Sequence, residues 1–101
     1  MNFINLTPHD IVLNDGRVFM STGVARVRAS YSEFNEDGIC EAVFGEVTGL
    51  PEPKEGTIYI VSGLVLQALN GSRPDVVAPA TGHPDAKREA GQIMSVPGFV
   101  K

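Results

Sequence analysis

The sequence predicts an α+β fold that is mostly β: a small sheet or partly open barrel carrying one short helix over about residues 62–70. Three observations lead there. Eleven glycines and seven prolines cut the chain into short pieces at regular intervals, the punctuation of a mostly β protein. Between those breaks the apolar residues fall in short β-branched runs. Only the block from Gly56 to Gly82, GTIYIVSGLVLQALNGSRPDVVAPATG, shows helical spacing.

Phe3–Leu6 reads as a first strand, closed by the turn Thr7-Pro8-His9-Asp10, where proline presets φ. Ile11–Leu13 and Arg17–Met20 form a hairpin about Asn14-Asp15-Gly16, in which glycine supplies a positive φ. After the turn Ser21-Thr22-Gly23, the segment Val24–Ser30 alternates, with Arg26 and Arg28 on the face opposite Ala25 and Val27. Tyr31–Gly38 is polar and acidic and reads as a loop. Ile39–Val47 is a strand with an irregularity at Gly45, and Leu50–Gly56 is a stiff proline-containing connection. Thr57–Val61 is a buried strand. Ser62 follows as N-cap, because its hydroxyl can accept from a free amide of the next turn. Leu64, Val65, Ala68 and Leu69 recur at helical spacing, and Asn70-Gly71 stops the helix. Val76–Pro79 is the next strand, His83–Gly91 a charged hairpin loop, Gln92–Val96 the last strand, and Pro97–Lys101 a tail.

The 101 residues suit one domain, 1–101, with room for a core but little for a deep pocket besides, so a site shared between subunits of a homo-oligomer is expected. The net charge of −4 argues against binding a nucleic-acid polymer, which needs a basic face. Two small basic spots remain, Arg26 with Arg28 and Lys87 with Arg88. One cysteine, Cys40, allows no intrachain disulfide. No apolar run approaches the roughly 20 residues of a spanning helix, and the N-terminal residues lack a signal-peptide pattern. The expected compartment is the cytoplasm, with no membrane partner. Asn5-Leu6-Thr7 and Asn70-Gly71-Ser72 then match the glycosylation pattern by chance.

Seven residues are candidates for ligand binding: Ser62, Arg73, Asp75, Thr81, His83, Arg26 and His9. Ser62 opens a helix, where free amides favour anions, although an N-cap needs no ligand. The planar fork of Arg73 suits a phosphate or carboxylate, and Asp75 suits a sugar hydroxyl or base N–H. The same two residues also read as a turn in which they pair with each other. Thr81-Gly82-His83-Pro84-Asp85 and Thr7-Pro8-His9-Asp10 gather polar groups on short connections, as binding loops and ordinary loops both do. Tyr59 or Phe44 could stack on a base, and each fits a core position too. Cys40 could act as a nucleophile with His9 or His83 as base, but its neighbours read as plain strand and the thiol as buried and structural. Glu46 and Asp75 could serve acid–base work if the fold joined them. Two distant histidines and one cysteine give no usable metal-ligand spacing, and no cofactor is expected.

The segments Asn5-Leu6-Thr7-Pro8-His9, Gly45-Glu46-Val47-Thr48-Gly49-Leu50, Tyr59-Ile60-Val61-Ser62 and Arg73-Pro74-Asp75-Val76-Val77-Ala78-Pro79 together resemble a family of small proteins encoded by bacteriophages, prophages and some bacterial genomes. The resemblance runs from about Asn5 to Gly98. Such a context raises one class of function. The chain is similar in size, acidity and β-rich character to phage sponges, non-enzymatic oligomers that trap nucleotide immune signals such as cyclic ADP-ribose isomers or cyclic oligonucleotides. The expectation is therefore an anti-defence binder of a nucleotide-derived ligand. The alternatives are a protein-interaction module acting through exposed strand edges, and a small nucleotide hydrolase or lyase using His9 or His83 as base.

Overall fold

The computed structural model describes all 101 residues. Its centre is a four-stranded sheet in the order β1-β6-β7-β10, from β1 (Asn2–Asn5), β6 (Thr57–Ile60), β7 (Val76–Pro79) and β10 (Phe99–Val100). β1 and β7 both run parallel to β6, and β10 closes the far edge antiparallel to β7. Three two-stranded ribbons surround it: β2 (Ile11–Val12) with β3 (Val18–Phe19), β4 (Arg26–Tyr31) with β5 (Ala42–Thr48), and β8 (Lys87–Glu89) with β9 (Gln92–Ser95). The fold is thus α+β and mostly β, built of small open sheets with one helix. That helix, α1 (Gly63–Leu69), is not long and apolar enough to cross a membrane.

Side-chain alternation along β6 and β7 makes the core two-sided. Tyr59, Val61 and Val76 face one side, where Leu6, Ala25 and Val65 of α1 join them and Val27 and Val47 of the β4–β5 ribbon pack on top. Ile60 and Val77 face the other, with Ile11, Leu13, Val96, Phe19 and Phe99. The sheet is therefore a middle layer, and the molecule is thin and extended at 49 × 37 × 19 Å. Its radius of gyration of 15.2 Å exceeds the roughly 13 Å of a compact domain of this length.

The helix lies where helical spacing put it. Ser62 caps its start by accepting from the Val65 amide, and Asn70 ends it in the left-handed region at φ 49° with its own amide bonded to the Gln67 carbonyl. The irregularity expected at Gly45 is a bulge in which Gly45 and Glu46 together oppose Arg28. A side chain at Gly45 would stand 3.3 Å from the Arg28 carbonyl oxygen. Gly49 is more constrained: at φ +80° it passes Val24 so closely that a Cβ would meet the Val24 carbonyl oxygen at 2.5 Å.

Two expectations from the sequence need correction. The charged segment His83–Gly91 is not all loop, since Lys87–Glu89 form β8, paired to β9 through the two-residue turn Ala90-Gly91. Both turn residues have positive φ, the type I′ requirement, and alanine in place of the usual Asn or Gly hides the signal. The tail 97–101 is likewise not free. Phe99 and Val100 pair with Pro79 and Ala78, and the Phe99 ring stacks on Phe3 and meets Phe19 edge-on, at centroid distances of 5.8 and 5.3 Å. The outer edge of β7 and an aromatic pocket recruit a segment too short to announce itself. Elsewhere boundaries shift modestly; β5 begins at Ala42 rather than Ile39, because Asn35 closes the preceding turn by accepting from the Asp37 and Ile39 amides.

The element ends are tied by a buried side chain that hydrophobic patterning passes over. Asn5, 2% exposed, sits at the end of β1. Its Nδ2 donates to the carbonyls of His9 (2.9 Å) and Phe19 (2.8 Å), while its Oδ1 accepts from the Thr7 amide (2.9 Å) and hydroxyl (2.7 Å). Both amide hydrogens and both acceptor sites are thereby used. Asn5→Ala should cost about 3 kcal/mol, because several buried polar groups lose partners at once; urea unfolding measures it. Asn5→Asp should destabilise at least as much at neutral pH, facing two carbonyls with a carboxylate. Conversely, Ala90→Asn should raise stability by roughly 0.5–1 kcal/mol, since asparagine tolerates the left-handed turn position better than alanine.

Candidate functional site

Because β1, β6 and β7 run the same way, their carboxyl ends lie along one edge, the place where open parallel sheets present binding crevices. There the chain leaves β1 through Thr7–Val12, leaves β6 through Ser62 and Gly63, and leaves β7 through Pro79 to Thr81. These segments and Ile93–Val96 of β9 and its extension enclose an open groove of about 450 Å³. That lies within the roughly 300–1,000 Å³ of small-molecule sites.

The groove combines two surfaces. Ile93 and Met94, 38% and 53% exposed, give an apolar wall. His9, Asp10, Ser62, Thr81 and Ser95 supply polar groups around it. The polar groups are held in place. Asp10 Oδ1 accepts from the Ser21 amide at 2.8 Å, and Ser95 Oγ donates to Asn14 Oδ1 at 2.6 Å. The Thr7–His9 turn rests on Asn5, and the Thr81 carbonyl accepts from Arg88 Nη2 at 2.8 Å. Arg88 thus brings a guanidinium to the groove's rim.

Three of the seven residues singled out in the sequence therefore meet here: His9, Ser62 and Thr81. The other four do not join them. Arg73 and Asp75 lie just before β7, at the opposite end of that strand, four residues or about 13 Å from Pro79. They form a two-pronged ion pair, Nε to Oδ1 at 2.9 Å and Nη2 to Oδ2 at 2.8 Å, and Nη2 also donates to the Pro51 carbonyl at 2.8 Å. The turn alternative describes this pair: the guanidinium clamps the 50–56 connection onto the sheet. The Arg73 hydrogen bonds hold the Asp75 carboxyl below the usual aspartate range, against the opposing effect of burial, and the same contact pushes the Arg73 guanidinium up. His83 is half-exposed in the β7–β8 connection, its Nδ1 accepting from the Asp85 amide at 3.0 Å. Arg26 lies on the outward face of the β4–β5 ribbon, in a depression shared with Arg28 and Glu46.

Tyr59 is a core residue at 3% exposure, and Phe44 sits half-buried on β5, so neither ring lines the groove. Cys40 lies in the turn before β5, half-buried rather than in a strand. Glu46 and Asp75 stand on different elements, and Asp75 is committed to Arg73. No three His, Cys, Asp or Glu side chains gather as a metal site would need.

The seven candidates did not include Asp10, Ser95, Met94 or Arg88, although the sequence marked Arg88, with Lys87, as a small basic spot. The β9 residues could not have been found, because only the packing of the β8–β9 ribbon brings them over the strand ends. Asp10 was available in the turn already chosen for His9.

No protein-family model matches the chain, and neither a curated protein nor a solved structure gives a significant match. What the fold and groove define is a class: a small α+β protein with an open, amphipathic groove at the carboxyl ends of three parallel strands.

The Arg73–Asp75 pair gives a pH signature. A carboxyl lowered in the folded state from its usual 3.8 contributes stability fully above that value and loses it as pH falls through the lowered one. Asp75→Asn should cost about 1–2 kcal/mol near neutrality. The difference in Tm from the unaltered protein should shrink below about pH 4, which thermal melts across an acid series would display.

Proposed function

We propose that this protein is a non-enzymatic binder that sequesters a nucleotide-derived signalling molecule, in the manner the resemblance to small phage proteins suggests. The observation that carries the reading is the groove itself: an apolar wall of Ile93 and Met94 lining it together with the hydroxyl residues Ser62, Thr81 and Ser95 and the carboxylate of Asp10, at the carboxyl ends of parallel strands. An aromatic base has an apolar surface to lie on, and sugar hydroxyls have Asp10, Ser62, Thr81 and Ser95 to meet. The lining contains no lysine or arginine, so a phosphate is best served at the rim, by Arg88 beside Thr81. Arg73, engaged by Asp75 and Pro51, is not part of this proposal.

Adjacent His9 and Asp10 in the same groove keep one other reading in view, a small enzyme acting on the same ligand class. A pure binder returns its ligand intact.

The test is to express the protein with and without an active nucleotide-signalling defence system, denature it, and identify the small molecules it releases by mass spectrometry. An intact nucleotide is expected. A chemically altered one, with alteration stopped by His9→Ala, would establish the enzyme. For the recovered ligand, calorimetry should show binding abolished by Met94→Arg, which fills the groove. Arg88→Gln should weaken it about tenfold, the scale of one charge-assisted contact. No ligand from either preparation, or binding indifferent to Met94→Arg, would defeat the proposal.

A further inference from the structure

The net charge of −4 resides in one place. Between Tyr31 and Glu41, at the far end of the β4–β5 ribbon, stand Glu33, Glu36, Asp37 and Glu41 with no lysine or arginine. The remaining eight acids and eight bases of the chain balance. The same tip exposes Phe34 (71%) and Ile39 (60%), and its backbone is closed on itself through Asn35 and Ser32. It is an acidic knob, its backbone closed on itself, that exposes two large apolar side chains.

At the base of the same ribbon, on the face turned away from α1, lies a shallow depression of about 550 Å³ lined by Arg26, Val27, Arg28, Gly45, Glu46 and Thr48. It holds two guanidinium groups against one carboxylate. Its floor is open because Gly45 has no side chain. Neither arginine is bonded to a carboxylate within the chain, the chain's ion pairs being those of Arg17, Arg73 and His83. One ribbon thus carries an acidic apolar knob and a basic hollow. They are about six residues apart along β4 and the turn, or roughly 20 Å. The ribbon has two strands and no further neighbour on either edge, an arrangement of marginal stability by itself.

We infer that the β4–β5 ribbon is a self-association arm: two copies lie antiparallel about a two-fold axis, each seating its Phe34 tip in the Arg26–Arg28 hollow of the other. A two-fold arrangement makes both contacts identical. Antiparallel alignment separates the two acidic tips, which repel in any tip-to-tip or parallel pairing, and sets each against cations. The axis passes near Ser30 and Val43, which share the hollow's face midway along the arm; Val43 is 51% exposed. This inference stands apart from the groove, which lies on other elements.

The test is analytical ultracentrifugation of the full chain at low and high salt, with circular dichroism as a check of folding. The unaltered protein is expected to be a dimer at low salt and to dissociate as salt rises. Two charge-reversed variants, Arg26→Glu with Arg28→Glu, and Glu33→Lys with Glu36→Lys and Asp37→Lys, should each weaken association about tenfold or more, since like charges then meet at both contacts. Mixing the two variants should restore the dimer, because each tip now finds an opposite charge in the other's hollow. Recovery on mixing also shows that both variants are folded. Phe34→Ser should dissociate the dimer without altering ligand retention by monomers. An unaltered protein monomeric at low salt, a dimer that survives both reversals, or well-folded variants that fail to recover on mixing would overturn the inference.

Discussion

Asn5 donates both hydrogens of its side-chain amide to carbonyls and receives the amide and hydroxyl of Thr7, all within a nearly waterless space at the end of β1. Its backbone carbonyl accepts from the Thr22 amide in addition. One residue thereby joins the first strand, the turn that follows it, the end of β3 and the start of the crossing toward β4. No buried side-chain polar atom in the molecule is left without a partner. That completeness lets a chain with 15 buried residues hold three loops in defined positions. The turn bearing His9 and Asp10 inherits its geometry from this node.

The second constraint is the two-sidedness of β6 and β7. Four successive residues, Ile58 to Val61, point alternately into two cores, so neither face of this short sheet can be left open. Helix α1 and the base of the β4–β5 ribbon cover one face, and the β2–β3 ribbon, with Ala86 and Val96 at the ends of the β8–β9 ribbon, covers the other. Covering a narrow sheet with ribbons produces a thin molecule whose ribbons outrun the core. One overrun, β9, becomes the wall of the groove. The other, the β4–β5 arm, leaves the body with its acidic tip and basic base unmatched within the chain.

The site divides in the same way. Arg73 and Asp75 satisfy one another at the amino end of β7, and their third bond, to the Pro51 carbonyl, makes them a clasp on the connection entering β6. At the carboxyl end Asp10, Ser62 and Ser95 are held by the Ser21 amide, the Val65 amide and Asn14, and line the groove. Two ends of one strand thus carry a structural ion pair and a candidate binding surface. Asp75 and Thr81 are only six positions apart, and the strand Val76–Pro79 between them, read from the sequence, sets them at opposite ends of the sheet.

The sequence by itself determined the local chemistry. Short β-branched runs between glycine and proline breaks marked most of the strands, Ser62 and Asn70 bounded the helix, and Gly45 marked the bulge, because each depends on backbone preferences within a few residues. It also determined the class, α+β and mostly β. Tertiary structure alone decided which strands neighbour which, that β1, β6 and β7 are parallel, and that Phe99 and Lys87–Glu89 are strands. Their signals were too short, or depended on distant partners such as Phe3 and Phe19. It likewise decided that His9, Ser62 and Thr81 share a groove with Ser95 while Arg73 does not. Strand direction sets which loops meet, and direction follows from pairing across dozens of residues, an energy that no local pattern records.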